Sequence, residues 1–189
     1  MKIIAATASP RRHAILRRLG VAFEVDAPEV EEIHDAADPV GTVVHNARAK
    51  YAAVQKRHPG AAVLAADTLV WFEGELIGKP RDLDEAKKIL RRLSGRTHVV
   101  FTAVATGASA GPEVRVEASS VRFRELGEDK IAAYVAEVRP LDRAGAYDID
   151  ENGGRLVAGW SGSYTNIMGL PEEVVRGWLG KTRGAEWHL

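Results

Sequence analysis

The chain has 189 residues, 46% of them hydrophobic and 28% charged, which is enough for one domain with a substantial core. Its 26 Lys and Arg residues equal its 26 Asp and Glu residues, so no overall positive field would hold a polynucleotide, and an anion site must be local. The absence of cysteine excludes a disulfide framework, a thiolate nucleophile and a cysteine-based zinc site.

Strand-like and helix-like segments alternate through the first half. Residues Ile3 to Ala6 form an apolar strand that breaks at Thr7-Ala8-Ser9, and Ser9 before Pro10 is typical of a helix start. We then predict a helix from Arg12 to Leu19 that ends at Gly20, a strand from Ala22 to Asp26 and a helix from Pro39 to Arg57. A strand from Ala62 to Ala66 follows, with Asp67 and Thr68 at its end. After it we predict a hairpin turn at Glu73-Gly74-Glu75 and a helix that is capped by Asp82 and ends at Gly95.

The second half begins with two long strands that alternate in polarity, as in an exposed antiparallel pair. We predict strands from His98 to Thr106 and Glu113 to Phe123, a helix from Glu128 to Glu137, a turn from Asp150 to Gly154, strands from Arg155 to Trp160 and Tyr164 to Met168, and a last helix starting at Pro171. The sequence therefore predicts a single α/β domain with a central mixed β-sheet flanked by helices.

The helix start at Ser9 is a candidate anion site. Unbonded N–H groups and the helix dipole favour anions there, and Arg11 and Arg12 add planar guanidinium donors. The alternative is a capped surface helix with two solvated arginines.

Eight short motifs follow one another along the chain: S-P-R-R from Ser9, E-E from Glu31, A-D-T from Ala66, G-K-P from Gly78, L-S-G-x-T-H from Leu93, A-G-A-Y from Ala144, G-S-Y from Gly162 and G-L-P from Gly169. In this order they closely resemble the Maf family of nucleotide pyrophosphatases, from about Ile3 to Leu179. The resemblance implies one Maf-like domain over residues 1–180 with a tail at 181–189, and a fold of the Maf and inosine-triphosphatase kind.

A pyrophosphatase of this family would cleave a nucleoside triphosphate between the α and β phosphorus atoms with water. The resemblance implies that Asp67 is the general base and that Glu32 and Asp67 hold Mg²⁺ or Mn²⁺, partly through water. The phosphate-binding set that it implies is Thr7, Ser9, Arg11 and Arg12, with Lys50 and Lys79 as point charges; Arg12, Lys50 and Lys79 join Asp67 as catalytic candidates.

Each of these residues also has a structural interpretation. Asp67 could cap a turn after a strand, Lys50 and Lys79 could be surface lysines, and Glu32 lies in an acidic stretch that a solvated loop would explain. None of the histidines shows metal-ligand spacing, and His98 is predicted to be structural.

Two departures from the family pattern concern the substrate. Thr7 replaces the first serine of the usual motif but keeps a hydroxyl. Relatives that prefer dTTP and UTP resemble one another in an arginine, a threonine and a glutamine at the positions of Arg11, Thr68 and Asp150, whereas the 7-methyl-GTP branch has an acidic residue at the third. Arg11 and Thr68 thus indicate pyrimidine nucleotides, and Asp150 does not.

We therefore expect an enzyme that favours dTTP and UTP with broadened base tolerance, with Thr68 and Asp150 contacting the substrate. The alternatives are a 7-methyl-GTP pyrophosphatase of the same family, a nucleotide-sensing regulator of cell division that does not hydrolyse its ligand, and an unrelated phosphate-binding α/β domain. We found no secretory leader pattern and no apolar run of about 18 residues, so we expect a cytoplasmic protein without a membrane segment. The resemblance suggests a homodimer.

Overall fold

A computed structural model of the chain describes residues 3–108, 110–151 and 153–184. The described residues form one sheet of seven strands in the order β2-β1-β3-β5-β6-β7, with β4 paired to β3. Strand β1 pairs in parallel with β2 and β3, and all other pairings are antiparallel. The sheet is therefore mixed, as predicted. The strands are β1 (Ile3–Ala6), β2 (Phe23–Val25), β3 (Ala62–Phe72), β4 (Glu75–Ile77), β5 (Thr97–Ala108), β6 (Gly111–Phe123) and β7 (Val157–Ser161).

Three of the longer helices begin at a residue whose side chain caps them. The side chains of Ser9, Asp38 and Asp82 each accept a backbone N–H of the first turn. The helices are α1 (Pro10–Arg18), α2 (Pro39–Arg57), α3 (Leu83–Leu93), α4 (Glu128–Val138), α5 (Tyr164–Ile167) and α6 (Glu172–Gly184), with short 3₁₀ turns at Ala144–Ala146 and Gly153–Arg155. No helix among these is long and apolar enough to cross a membrane.

Helices cover both faces of the sheet. On one face α2 buries Val43, Ala47 and Val54 against alternate residues of β1, β3 and β5. The other face is larger and packs against side chains of α1, α3, α4 and α6. The cavity that holds the candidate site lies where β1 ends at Ala6. Its neighbour β3 continues for seven more residues, so that groups from both faces become accessible at one edge of β1.

Two sequence predictions are wrong in ways that affect this region. We predicted that a strand ends at Ala66, but β3 runs to Phe72, because residues beyond Asp67 pair with β4 and β5. We predicted a strand from Tyr164 to Met168, but this segment contains helix α5, because the side chain of Ser163 accepts the Asn166 N–H and caps a helical turn.

Smaller differences occur near the end of the chain. The predicted strand from Arg155 to Trp160 starts only at Val157, after a 3₁₀ turn. Helix α6 continues to Gly184, into the segment that we predicted as a tail. Asn152 of the predicted turn and the last five residues lie outside the described ranges.

Candidate active site

A cavity of about 570 Å³ opens at the end of β1. This volume suits a ligand the size of a small metabolite or nucleotide. The lining of the cavity contains charged side chains around Asp67, which we call the polar end, and a group of apolar side chains, which we call the apolar end. Its lining comes from residues 6–12, the loop after β2, α2, β3, Lys79, Val100, residues 142–149 and residues 167–169.

Lys50 joins two carboxylates at the polar end. Its Nζ atom lies 2.6 Å from Asp67 Oδ1 and 2.7 Å from Glu32 Oε1. The second oxygen of Asp67 accepts a hydrogen bond from Asn46 Nδ2 at 3.2 Å. Asp67 is thus buried with a partner on each oxygen, whereas the Glu32 side chain stays 37% exposed. The arrangement places an ammonium group in direct contact with a candidate base and with a second acidic side chain.

Helix α2 positions this cluster through polar side chains on successive turns. Thr42, Asn46 and Lys50 are spaced by four residues and therefore share one helix face. Asn46 accepts the Ile33 N–H and donates to the Ile33 carbonyl, while Thr42 bonds both backbone groups of Asp35. The acidic loop is thus fastened to α2, which brings Glu32 to Lys50. Sequence reasoning missed Asn46, although its spacing from Lys50 is a usable signal.

The charge on Glu32 follows from its contact with Lys50. Burial acts to raise the pKa of Glu32, but the hydrogen bond from Lys50 and the nearby charges of Lys50, His34 and Lys79 outweigh it, so the pKa lies below its ordinary value. Within the described ranges no group of three or more His, Cys, Asp and Glu side chains is placed to hold a metal ion. Glu32 and Asp67 offer two carboxylates, and Mg²⁺ characteristically uses one or two together with water and substrate phosphates.

The two arginines of the S-P-R-R motif point in different directions and make different contacts. Arg12 points inward, where Nε donates to the Gly169 carbonyl at 2.8 Å and Nη1 to the Ala66 carbonyl at 2.9 Å. It also donates to the hydroxyls of Thr7, at 3.2 Å, and Thr68, at 3.0 Å. Burial lowers the pKa of Arg12, and the negative charge of Asp67 acts in the opposite direction. Four bonds to protein make Arg12 a brace between α1, β3 and the segment after α5.

Arg11 points instead along the cavity wall. Its Nη1 atom donates to Asp148 Oδ2 at 3.1 Å, and its side chain is 30% exposed. Arg143 donates to the same oxygen from Nε at 2.9 Å. Both Asp148 and Arg143 line the cavity, and sequence reasoning singled out neither of them.

The other end of the cavity is largely apolar. Thr68 marks the transition, since its hydroxyl lies 2.8 Å from that of Thr102 and accepts from Arg12. The apolar lining consists of Val70, Val100, Tyr147, Ile149, Ile167 and Met168, with Asp148 between Tyr147 and Ile149 in the chain. An uncharged ring fits this end better than a phosphate group does.

A sequence model of the family described as Maf-like protein matches residues 2–182. The chain belongs to the Maf-like family. It is 46% identical over 170 residues to a dTTP/UTP pyrophosphatase of Myxococcus xanthus, covering 89% of this chain and 86% of that protein. It is 45% identical over 171 residues to a dTTP/UTP pyrophosphatase of Symbiobacterium thermophilum, covering 90% and 88%. A nucleoside-triphosphatase (dITP/XTP pyrophosphatase) structure from Mycobacterium abscessus aligns over 67% of this chain and 76% of that chain, with 21% identity and a TM-score of 0.46.

Most of the residues singled out from the Maf-like motifs reach this cavity. Thr7, Ser9, Arg11, Arg12, Glu32, Lys50, Asp67, Thr68 and Lys79 all line it. The Ser9 hydroxyl accepts the Arg12 N–H as the helix cap, and the buried Thr7 hydroxyl accepts the Ser9 N–H. Lys79 is exposed at the cavity wall.

Asp150 is the one proposed substrate residue that the fold does not bring to the cavity lining. It is exposed, and its Oδ1 atom accepts a hydrogen bond from the Tyr164 hydroxyl at 2.7 Å. The backbone N–H of Asp150 donates to Asp148, so the acidic side chain that lines the cavity in this segment is Asp148.

His98, the last residue of the L-S-G-x-T-H motif, is buried outside the cavity lining. Its Nε2 atom lies 2.9 Å from the Tyr147 hydroxyl, and its ring packs edge-on against Phe123 and Tyr147. Burial lowers the pKa of His98 to about 4. Its position fits the structural role that we predicted.

Proposed function

We propose that this chain hydrolyses nucleoside triphosphates, preferentially dTTP and UTP, to the monophosphate and pyrophosphate. The observation that supports this most directly is the contact of Lys50 with both Asp67 and Glu32 beside the Thr7–Arg12 turn. The names of the relatives from Myxococcus xanthus and Symbiobacterium thermophilum support the same activity and base preference. A binding module without turnover has no need of a base and a cation-binding carboxylate in one cluster.

The triphosphate would lie at the polar end. Lys79 is exposed there and can approach a phosphate, while Lys50 supplies a second ammonium group. Ser9 caps helix α1 at the cavity wall, so the positive end of that helix dipole also faces this region.

Asp67 is placed to accept a proton from water. Asn46 and Lys50 hold its two oxygens, which fixes the orientation of the carboxylate. As the proton moves to Asp67, the water oxygen bonds to the α phosphorus, the bond from that phosphorus to the bridging oxygen breaks, and pyrophosphate leaves with the bond electrons. Lys79 and Lys50 would stabilise the charge that develops on the phosphate oxygens.

Glu32 and Asp67 would also hold the divalent cation. Their oxygen donors fit Mg²⁺ or Mn²⁺, and the incoming triphosphate would complete the coordination shell. When bound, the cation would withdraw electron density from phosphate oxygens and lower the pKa of a nearby water.

The base would lie at the apolar end, past Thr68. We infer broadened base tolerance from Asp150, because its carboxylate is engaged with Tyr164 outside the cavity lining and does not replace the donor and acceptor pair of a glutamine amide. The homodimer and the cytoplasmic location that we expect from the sequence remain predictions.

A nucleotide panel tests this proposal. The protein is incubated with UTP, dTTP, CTP, GTP and 7-methyl-GTP, each with Mg²⁺, with Mn²⁺ or with a chelator, and the products are separated by chromatography. We expect monophosphate and pyrophosphate, fastest from UTP and dTTP, with CTP and GTP slower by less than about 100-fold and no turnover with the chelator. Preferential cleavage of 7-methyl-GTP, or full activity with the chelator, would contradict the proposal.

A further inference from the structure

Asp148 is a buried carboxylate that four donors satisfy. Its Oδ2 atom accepts from Arg11 at 3.1 Å and Arg143 at 2.9 Å, while Oδ1 accepts the backbone N–H groups of Asp150 at 2.9 Å and Glu151 at 3.4 Å. The side chain is only 4% exposed. Burial acts to raise the pKa of Asp148, but these hydrogen bonds and the two guanidinium charges prevail, so its pKa lies below the ordinary value. No acceptor site of Asp148 is left for a ligand.

The two arginines that bond Asp148 differ in whether N–H donors remain free to bind a ligand. Arg143 bonds three carboxylates, those of Asp142, Asp148 and Glu151, and its side chain is 15% exposed. Arg11 bonds Asp148 alone among the described residues and is 30% exposed at the cavity. Arg11 therefore keeps free N–H donors while Asp148 fixes the guanidinium against the wall.

The balance of charge around Arg11 and Arg143 indicates which part of a nucleotide binds at this wall of the cavity. Arg11 and Arg143 stand with three carboxylates, Asp142, Asp148 and Glu151, so negative charge is in excess. At the polar end, three cationic side chains stand with only two carboxylates; the five are Arg12, Lys50, Lys79, Glu32 and Asp67. Phosphates are therefore disfavoured beside Asp148, and an uncharged ring with carbonyl acceptors suits the donors of Arg11.

We propose that Asp148 is a positioning residue for base selectivity: it holds Arg11 so that the guanidinium donates to the carbonyl oxygens of a uracil or thymine ring between Tyr147 and Ile149. This inference rests on the proposed function. In this inference, the acidic residue that influences base selectivity is Asp148 and not Asp150.

Asp148→Asn tests the role with little change in shape. An amide has one acceptor oxygen, so it serves either the guanidinium groups or the backbone N–H groups, and its NH₂ group faces the other donors. We expect KM for UTP and dTTP to rise at least about tenfold with kcat changed by less than about threefold. Asp67 alternates in β3 with Ala65 and Leu69 on one face of the sheet, whereas Tyr147 and Ile149, the neighbours of Asp148, pack on the other face. The preference for UTP over GTP should fall by a similar factor.

The matched control is Asp26→Asn. Asp26 also accepts from two side chains, Arg57 and His58, but does not line the cavity. We expect its KM and base preference to match those of the wild type. If Asp26→Asn raises KM as much as Asp148→Asn does, the effect is a general loss of stability and the inference is wrong.

A double-mutant cycle separates positioning of Arg11 from a purely structural role. If Asp148 acts through Arg11, Asp148→Asn should change KM by less than about twofold in an Arg11→Ala background. A full additional effect in that background would overturn the inference. Arg11 is partly exposed, so Arg11→Ala should fold even if Asp148→Asn does not, and an unchanged base preference in Arg11→Ala would also overturn it.

Binding of the non-hydrolysable analogue α,β-methylene-UTP gives a readout apart from turnover. We expect its Kd to rise about tenfold in Asp148→Asn. Wild-type protein that neither binds nor cleaves any pyrimidine nucleotide would contradict the proposed function and this inference together. Wild-type activity on UTP with equal Kd values in both proteins would contradict this inference alone.

Discussion

Lys50 is shared between two carboxylates, and this determines how Glu32 and Asp67 coexist in one cluster. Its ammonium lies 2.7 Å from one and 2.6 Å from the other, so the repulsion between the two negative charges is offset before any ligand arrives. The motif A-D-T located Asp67 in the sequence. The partner Asn46 could not be identified in the same way, because an asparagine on a helix has many uses and only its contacts with Ile33 and Asp67 define this one.

The first prediction concerns Asp67→Asn. The amide keeps the shape but cannot accept the proton of water, so we expect kcat for UTP to fall at least about 100-fold while the fold is retained. Turnover measured with Mg²⁺, together with a thermal unfolding curve, checks this. Near wild-type kcat in a folded variant would remove Asp67 from its proposed role.

The second prediction compares Lys79→Ala with Arg12→Ala. Both should lower kcat about 100-fold through lost charge at the phosphates. Only Arg12→Ala removes the guanidinium that donates to the Ala66 and Gly169 carbonyls, so it alone should lower the free energy of unfolding, by about 2 to 4 kcal/mol. Urea denaturation of the two variants measures this. Equal stability losses would show that Arg12 does not brace α1 against β3.

At the scale of elements, helix α2 was predicted with its observed bounds and α5 was not predicted at all. The nineteen residues of α2 give several turns of apolar periodicity, whereas the four residues of α5 give none. Helix α5 depends on its surroundings. Ser119 and Val100 accept hydrogen bonds from Asn166, and these partners lie far away in the sequence.

The third prediction is that Gly162→Ala displaces α5. Gly162 has φ of 97°, and a Cβ there would lie 2.9 Å from the Ala118 carbonyl oxygen and 2.8 Å from Ser119 Oγ. We expect a loss of at least about 2 kcal/mol in stability, and a higher KM because Ile167 and Met168 line the cavity. The control Gly159→Ala, whose Cβ would meet no atom within 4 Å, should resemble the wild type in both measurements. Equal effects of the two substitutions would contradict the steric role of Gly162 in this turn.

At the scale of the whole molecule, the alternation of strands and helices predicted a mixed sheet with two covered faces, and the structure confirms it. The order of the strands could not be predicted from the sequence, because β3 pairs with both β1 and β5 through contacts that local periodicity does not encode. The Maf-like motifs identified most of the cavity residues. The motifs did not identify Asp148 and Arg143, because only the fold brings Asp148, together with Arg143, to Arg11.

The fourth prediction links the stability of the whole fold to pH through His98. Its pKa is lowered by burial to about 4 in the folded chain, from 6.5 ordinarily, so between these values the unfolded chain binds the extra proton. This contribution to stability is present above pH 6.5 and is lost as the pH falls towards 4, by roughly 3 kcal/mol in total. Urea unfolding at about pH 7 and about pH 4.5 should therefore show a smaller difference for His98→Gln than for wild type. The same difference in both proteins would contradict the burial argument.

Isotope transfer from water tests the proposed chemistry most directly. The protein is incubated with UTP and Mg²⁺ in ¹⁸O-labelled water, and the products are examined by mass spectrometry. Attack on the α phosphorus predicts one ¹⁸O atom in UMP and unlabelled pyrophosphate. Labelled orthophosphate accompanied by UDP would show attack at the γ phosphorus, and would contradict the proposed roles of Asp67 and its neighbours.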